Sequence, residues 1–281
     1  MSHRNSLRLL SLCLVVSTTA AAADRPSEAI QDNSFLLEEA YNQDPGVVQH
    51  IFSLFGSVNK LPGADDREWV ASFTQEWPVF SQAHQFSYTV PYSFVKSGGQ
   101  SSNGVGDVLL NYRFQLSTET ATRPAIAPRL SVILPTGDED RGLGSGSVGF
   151  QTNTALSKVL NDRWTVHVNA GATVLPDVHG RDLIGYNLGV SAIYALTSSV
   201  NLLVECTANG DEEVDDAGGR DRSVSVLVSP GIRYGINLPH EAQLVVGIAM
   251  PIGLTRDAPD YGVFFYASFE HGFTRGKRVG K

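Results

Sequence analysis

The sequence has almost no cysteine. Only Cys13 and Cys206 carry a thiol among the 281 residues, and Cys13 lies in an apolar stretch near the amino terminus. If that stretch is removed as a leader, Cys206 has no partner in the chain with which to form a disulfide. A small secreted fold held together by disulfides is therefore excluded.

Positive charge is also scarce. The formal net charge is −8 at pH 7, and the chain after its first residues contains few lysines. A protein that binds nucleic acid needs clustered lysine and arginine to neutralise phosphates. The composition therefore argues against nucleic acid as a partner.

Long apolar runs are absent after residue 23. Residues 1–23 contain Arg4 and Arg8, an apolar run from Leu9 to Val16 and then small residues, which is typical of a secretory signal peptide cleaved near Ala23. No later run approaches the roughly 20 apolar residues of a transmembrane helix. Because only helices and closed barrels satisfy their backbone groups in lipid, any membrane insertion would require a β-barrel.

What the chain has instead is alternation of apolar and polar residues. In RWTVHVNAGATVLP (163–176), tryptophan, valine and alanine at even positions alternate with threonine, histidine and asparagine at odd positions. A period of two predicts a strand with one apolar and one polar face. About twelve such strands are predicted: 46–56, 67–79, 84–95, 104–116, 125–135, 147–158, 163–175, 185–196, 200–209, 222–235, 242–253 and 261–273.

Short turns and long polar segments alternate between these predicted strands. LSKVLNDRWT and YALTSSVNL contain short turns, whereas PTGDEDRGLGSGS and GDEEVDDAGGRDR are long, glycine-rich and charged. This alternation is typical of an outer membrane barrel with short periplasmic turns and long external loops. We therefore predict an all-β fold, an antiparallel up-and-down transmembrane β-barrel of about twelve strands.

The composition of the two strand faces indicates which one contacts lipid. The apolar face is rich in β-branched and aromatic residues, with aromatic residues toward the strand ends, as in the girdles of membrane barrels. The polar face is small and mostly uncharged, whereas the outer face of a soluble sandwich would normally carry more lysine and glutamate. We predict that the polar face lines the lumen, where the following residues form a charge network: Glu76, Asp107, Arg113, Arg129, His167, Glu205, Arg233 and Glu270.

Two roles are open for this network. It could set the selectivity of passage, as rings of charge do in pores. It could instead hold neighbouring walls together, and this role is favoured because unpaired charges are costly where little water enters.

Three segments resemble a known family. NSFLLEEAYNQDPGVVQHI (33–51), GVGDVLLNYRFQL (104–116) and APRLSVILPTGDEDRGLGSGS (127–147) are similar to bacterial barrels grouped under the name MetA-pathway of phenol degradation. The resemblance covers most of the chain after the leader. It implies an outer membrane transporter that takes up aromatic or other hydrophobic compounds.

Motifs for enzymatic or metal chemistry are weak. Gly144, Gly146 and Gly149 match G-x-G-x-x-G, but a strand is predicted to follow where a dinucleotide site needs a helix. Positions 216 and 222 lack the glycine and glutamate of a calcium-binding EF-hand loop. We expect no catalytic residue, cofactor or metal, although a serine beside His167 stays open as the basis of a lipid hydrolase.

The predicted organisation is a signal peptide (1–23), a periplasmic or plug segment (24–45), the barrel (46–273) and a tail (274–281). Barrels of about eight strands are filled and those of sixteen are open, so twelve strands predict a narrow or plugged passage. The predicted function is passive or facilitated uptake of small, possibly hydrophobic molecules across the outer membrane. The alternative is a structural or surface-interaction barrel without transport.

The expected partners follow from this location in the outer membrane. They are outer membrane lipid and lipopolysaccharide, the barrel assembly machinery and an unidentified small-molecule substrate.

Overall fold

A computed structural model describes residues 30, 32–61, 64–97, 100–214 and 218–273. The predicted signal peptide, the first residues of the predicted plug segment and the predicted tail lie outside this part of the chain. Within the part described, no helix is long and apolar enough to cross a membrane.

The described residues form fourteen strands in one antiparallel sheet. The strands are β1 (Val47–Leu61), β2 (Ala64–Val79), β3 (Ser81–Ser97), β4 (Gln100–Val105), β5 (Val108–Phe114), β6 (Ala125–Leu134), β7 (Gly149–Val159), β8 (Trp164–Val178), β9 (Arg181–Ala195), β10 (Val200–Val214), β11 (Arg220–Leu238), β12 (Ala242–Ala249), β13 (Ile252–Gly253) and β14 (Tyr261–Gly272). β4 and β5 both pair with β3, and β12 and β13 both pair with β11 and β14. β4 and β5 therefore share one position in the barrel wall, and β12 and β13 share another. The fourteen strands thus fill twelve positions.

The barrel closes between its first and last strands. β1 pairs with β14 from Val47↔Gly272 to Val58↔Tyr261, and the other strands pair with their neighbours in sequence. The predicted closed up-and-down barrel of twelve strands is thus confirmed.

Alternate residues of each strand face opposite sides of the wall. Leu130 and Val204 are each 51% exposed on the outside, whereas Ser131 and Ser191 are fully buried inside. Rows of exposed leucine, valine and aromatic residues continue around the barrel and suit contact with lipid. The apolar face of the 163–176 stretch is therefore the outer one, as predicted.

Several segments predicted as long loops are instead the ends of β-hairpins. β8 and β9 pair as far as Val178↔Arg181, and β10 and β11 pair as far as Val214↔Arg220. Strands of about 9–11 residues suffice to cross the membrane, so these longer hairpins extend past it. The ends of these hairpins lie beyond the lipid and therefore lack an apolar outer face. The alternation of apolar and polar residues thus ends before the strand pairing ends.

The loop after β6 differs from these hairpins. It contains a short 3₁₀ helix (Glu139–Arg141), and Leu143 behind this helix is buried. A Cβ atom on Gly104 would lie 2.8 Å from Leu143 Cδ1, and Gly104 pairs with Ser93 on the lumen side of the wall. The loop therefore folds inward over one side of the barrel.

Candidate functional site

Residues 30 and 32–46, which we call the lumen segment, lie inside the barrel. The side chains of Ile30, Asp32, Ser34, Leu37 and Ala40 are all buried there. The lumen segment precedes β1 directly, so it enters from the end of the barrel that carries the short turns. The interior is thus occupied by the chain's own amino-terminal region.

Side chains of the wall accept hydrogen bonds from the backbone of the lumen segment. The N–H groups of Leu36, Glu38, Ala40, Asn42 and Gln43 donate in turn to the following wall atoms: Glu205 Oε1 (2.8 Å), Asn169 Oδ1 (2.9 Å), Ser157 Oγ (2.7 Å), Gln115 Oε1 (3.1 Å) and Gln85 Oε1 (2.8 Å). Four of these acceptors lie on four different strands, and Gln115 lies directly after β5. The wall therefore provides the partners that a buried backbone requires.

Two arginines of the wall bind backbone carbonyls of the lumen segment. Arg233 donates to the carbonyl oxygens of Asp32 (3.1 Å) and Asn33. Arg113 donates to the carbonyl oxygens of Glu39 (3.1 Å) and Tyr41 (2.9 Å). The rigid array of guanidinium donors suits such multiple contacts, so both arginines hold the lumen segment directly.

Glu38 forms the ion pair at the centre of the lumen segment. Its carboxylate lies 2.9 Å from Arg129 Nη2 and 3.9 Å from Arg113 Nη1. Glu38 lies outside the membrane-spanning strands, and burial alone would raise its pKa. Arg129 and Arg113 outweigh that effect and hold the pKa of Glu38 below its ordinary value.

Asp32 forms a second polar centre, nearer the start of the lumen segment. Its carboxylate accepts hydrogen bonds from Tyr266 Oη (2.6 Å), Gln49 Nε2 (2.8 Å) and the Ser268 hydroxyl. Burial raises the pKa of Asp32 above its ordinary value, and Arg233 and these donors oppose the rise only in part. Keeping Asp32 deprotonated inside the barrel therefore costs free energy of desolvation.

Apolar residues of the lumen segment pack where the wall carries glycine. A Cβ atom would lie 2.9 Å from Leu37 at Gly189 and 2.3 Å from the Phe35 ring at Gly247. The Phe35 ring also lies 5.7 Å from Phe264 and 5.3 Å from Tyr266, measured between ring centres. Glycine at these positions leaves the space that the leucine and phenylalanine side chains fill.

The structure brings five of the predicted network residues to the lumen segment or to one another. Arg113, Arg129, Arg233 and Glu205 contact the lumen segment directly, and Arg113 also lies 3.8 Å from Glu76. The sequence predicts that these charged side chains pair with one another across the lumen. The partners found for these arginines are largely groups of the lumen segment, because that segment fills the space between the walls.

The remaining predicted residues lie elsewhere. Asp107 accepts hydrogen bonds from Gly137 N (3.0 Å) and Ser145 N (2.8 Å), so it holds the inward-folded loop. Glu270 lies opposite Gln49 and Gln243 on neighbouring strands.

His167 lies beside a serine beneath the lumen segment. Its Nδ1 atom is 2.7 Å from Ser157 Oγ, and both side chains are almost fully buried. Ser157 Oγ also accepts the hydrogen bond from Ala40 N, so this hydroxyl contacts both the histidine and the lumen segment. A nucleophilic serine must meet its substrate, whereas the lumen segment covers this one. The contact between His167 and Ser157 instead positions the serine hydroxyl that accepts from Ala40 N and so supports the lumen segment.

Two cavities adjoin the lumen segment, with volumes of about 210 and 400 Å³. Both are lined by Leu36, Leu37, Glu38 and Arg129. The wall residues of the larger cavity are mostly polar and include Gln151, Asn153, Thr173, Asn187 and Asn209. The space left in the lumen is therefore lined mainly by hydroxyl and carboxamide groups.

Part of the wall beneath the lumen segment has unsatisfied polar atoms. Among the described residues, Thr207 Oγ1 and Ser229 Oγ are buried without a hydrogen-bond partner. Glu205 pairs in register with Ser229, and Thr207 pairs with Gly189, which Leu37 covers. Apolar side chains therefore cover a polar wall here, at a cost of about 1–3 kcal/mol for each unpaired group.

The other motifs of the sequence have structural surroundings. Gly144 and Gly146 lie in the inward-folded loop, and β7 follows as a strand. Of the acidic run after residue 210, Asp211 and Glu213 lie on β10, whereas Asp215 is outside the described residues. The described residues include no group of three or more histidine, cysteine, aspartate or glutamate side chains placed to hold a metal.

Comparison with known proteins places the barrel in a family. The family model described as "Putative MetA-pathway of phenol degradation" matches residues 65–260. The chain belongs to this family. The match leaves out the lumen segment, and a comparison with proteins of curated function gave no match.

Solved structures with a similar fold are outer membrane barrels. The COG4313 outer membrane channel from Pseudomonas putida F1 has a TM-score of 0.63 and 13% identity, over 83% of this chain and 97% of that one. The KdgM porin in complex with oligogalacturonate is more distant, with a TM-score of 0.42 and 10% identity, over 81% of this chain and 99% of that one. The first likeness supports the barrel fold of this family member.

Proposed function

We propose that this barrel is an outer membrane channel for small solutes and that the lumen segment is its gate. The observation that carries the proposal is the occupied lumen. A polar interior runs through a closed barrel, and the lumen segment fills it through hydrogen bonds and packing specific to its sequence. Solutes would pass when the lumen segment leaves its place or shifts along the wall.

Two features favour a movable lumen segment over a permanent filling. It precedes the first strand, so it can leave without breaking any strand pairing of the barrel. Leu37 covers the wall beside Thr207, whose buried hydroxyl lacks a partner, and water would satisfy such atoms once the segment moved. A wall made only to hold a permanent core would be expected to carry apolar residues at those positions.

The nature of the solute is a separate question. The family name implies aromatic or other hydrophobic compounds, whereas the hydroxyl and carboxamide lining of the larger cavity favours polar ones. Liposome swelling compares the two directly. Faster swelling with the sugar arabinose than with benzoate would support a polar cargo, and the reverse order would support an aromatic one.

Conductance in planar bilayers tests the channel. We expect small or rare current steps from the full mature protein and large, stable steps from a variant that lacks residues 30–46. If the variant is folded, as judged by heat-modifiable mobility, and remains silent, the channel proposal is wrong. A structural or surface-interaction barrel would then be the better account.

A further inference from the structure

Two histidines on the outer face meet at the seam where the barrel closes. His50 lies on β1 and His271 lies on β14, two positions apart in the register of the two strands. Their Nε2 atoms are 3.3 Å apart and their ring centres are 5.4 Å apart, with 18° between the ring planes. The nitrogens are closer than the ring centres, so the two Nε2 edges point toward each other.

A backbone carbonyl fixes the proton on one of these rings. His271 Nδ1 lies 3.2 Å from the carbonyl oxygen of Gly272. Because a carbonyl can only accept, Nδ1 carries the proton, and Nε2 of the neutral ring has a free lone pair. Histidines that bind metals commonly donate their other N–H to a carbonyl in this way.

The distance between the two Nε2 atoms fits a shared metal ion better than a direct hydrogen bond. Hydrogen bonds from N–H groups to oxygen span 2.7–3.2 Å, so a separation of 3.3 Å lies at the long end for a direct bond. Two histidine nitrogens bound at 2.0–2.1 Å to a tetrahedral zinc ion lie about 3.3–3.4 Å apart. We propose that His50 and His271 bind a divalent transition-metal ion, with Zn²⁺ as the best fit to the tetrahedral spacing.

The surroundings leave such an ion accessible. Both histidines are half-buried, and the rings of Phe73 and Phe269 lie beside His50 at 6.3 and 6.4 Å between centres. Aromatic residues near strand ends mark the membrane interface, where water and lipid phosphates reach the barrel. Water or a phosphate oxygen would complete the coordination.

The ion would join the first and last strands of the barrel. These strands come together only when the barrel closes, so an ion that binds both histidines stabilises the closed form over the open one. The site is independent of the lumen and of any transport activity.

Thermal unfolding with Zn²⁺ tests the site. The full mature chain, without a histidine tag, is folded in detergent, and its midpoint is followed by heat-modifiable mobility. We expect Zn²⁺ to raise the midpoint of the parent and of His84→Ala, and a chelator to reverse the rise. His50→Ala and His271→Ala should lose the rise. His84 is a matched control because it lies on the same outer rim and contacts Tyr112 Oη at 2.6 Å instead.

Cu²⁺ offers a second readout that does not depend on stability. The electron paramagnetic resonance spectrum of the Cu²⁺-bound parent should show two equivalent imidazole nitrogens, and each single variant should show one at most. The proposal is overturned if the parent shows one nitrogen or none, if Zn²⁺ leaves its midpoint unchanged, or if Zn²⁺ raises all four midpoints equally.

Discussion

Leu37 packs so closely on the backbone of Gly189 that a Cβ atom there would lie 2.9 Å from Leu37 Cδ2. The Cγ and Cδ1 atoms of Leu37 would lie 3.0 and 3.1 Å away, so the whole leucine side chain would have to move. We therefore expect Gly189→Val to displace the lumen segment and to increase conductance severalfold in planar bilayers.

A second substitution makes this steric test specific. Leu37→Ala removes the group that the new valine meets, so the double variant Gly189→Val, Leu37→Ala should regain much of the low conductance. If Gly189→Val alone conducts no better than the parent, the lumen segment does not limit the current.

The arginines of the wall should hold the gate through hydrogen bonds to backbone and carboxylate groups. In the double variant Arg129→Ala, Arg233→Ala, Glu38 loses its closest cation and the carbonyls of Asp32 and Asn33 lose their donor. Loss of one partner of a fully buried charged pair costs about 3–5 kcal/mol, and the cost is smaller here because Glu38 keeps Asn153 and Arg113. We expect faster amide hydrogen exchange in residues 32–43 and more frequent opening.

An exposed arginine provides the control for this change in charge. Arg163 is exposed, and its guanidinium contacts the Tyr194 hydroxyl at the rim rather than the lumen segment. Arg163→Ala should leave exchange in residues 32–43 unchanged. Equal exchange in the parent and in the double variant would show that the two wall arginines do not hold the segment.

Opening should depend on pH through two carboxylates with opposite effects. The lowered pKa of Glu38 means that its contribution to docking is present above its ordinary pKa and is lost as pH falls through the docked value. The raised pKa of Asp32 means that docking improves as pH falls and the buried carboxylate takes up a proton. The effects of these two carboxylates on docking should therefore partly cancel in the parent.

Single variants separate these two effects. Asp32→Asn removes the carboxylate with the raised pKa and keeps Glu38, so its open probability should rise more than that of the parent as pH is lowered into the acid range. Glu38→Gln keeps Asp32, so the open probability of this variant should fall as pH is lowered. Identical pH profiles for the two variants would contradict this assignment.

Asp107 should control the inward-folded loop rather than the lumen segment. Its carboxylate accepts from the backbone at Gly137 and from both the backbone and the hydroxyl of Ser145. We expect Asp107→Ala to expose the loop, so that trypsin cleaves after Arg141 at least severalfold faster. Asp138→Ala removes only the cap of the 3₁₀ helix and should have a smaller effect. Equal cleavage rates in the parent and Asp107→Ala would exclude this role.

The sequence predicted the wall well because lipid imposes a simple rule on it. Most outward positions are apolar, so alternation marks each strand, and the predicted strands match those observed to within a few residues over most of the membrane-crossing part. The extended hairpin ends escaped prediction because lipid does not contact them.

The lumen segment was harder to predict because its partners are distant in sequence. Arg233 binds the carbonyl of Asn33 across 200 residues, and no local pattern records that contact. A signal was nevertheless present. Phe264 and Tyr266 break the alternation by placing aromatic side chains on the lumen face, and glycines at 189 and 247 share that face.

A disulfide between the gate and the wall gives the most direct test of the central claim. The hydroxyl oxygens of Ser34 and Ser191 are 2.6 Å apart, so cysteines at both positions can approach within bonding distance. The variant is made with Cys206→Ser, and Ser34→Cys alone serves as the control. We predict that the oxidised double-cysteine protein is silent in planar bilayers and that a reductant restores openings. Clear openings of equal size and frequency before and after reduction would contradict the account, because solutes would then pass without movement of the lumen segment.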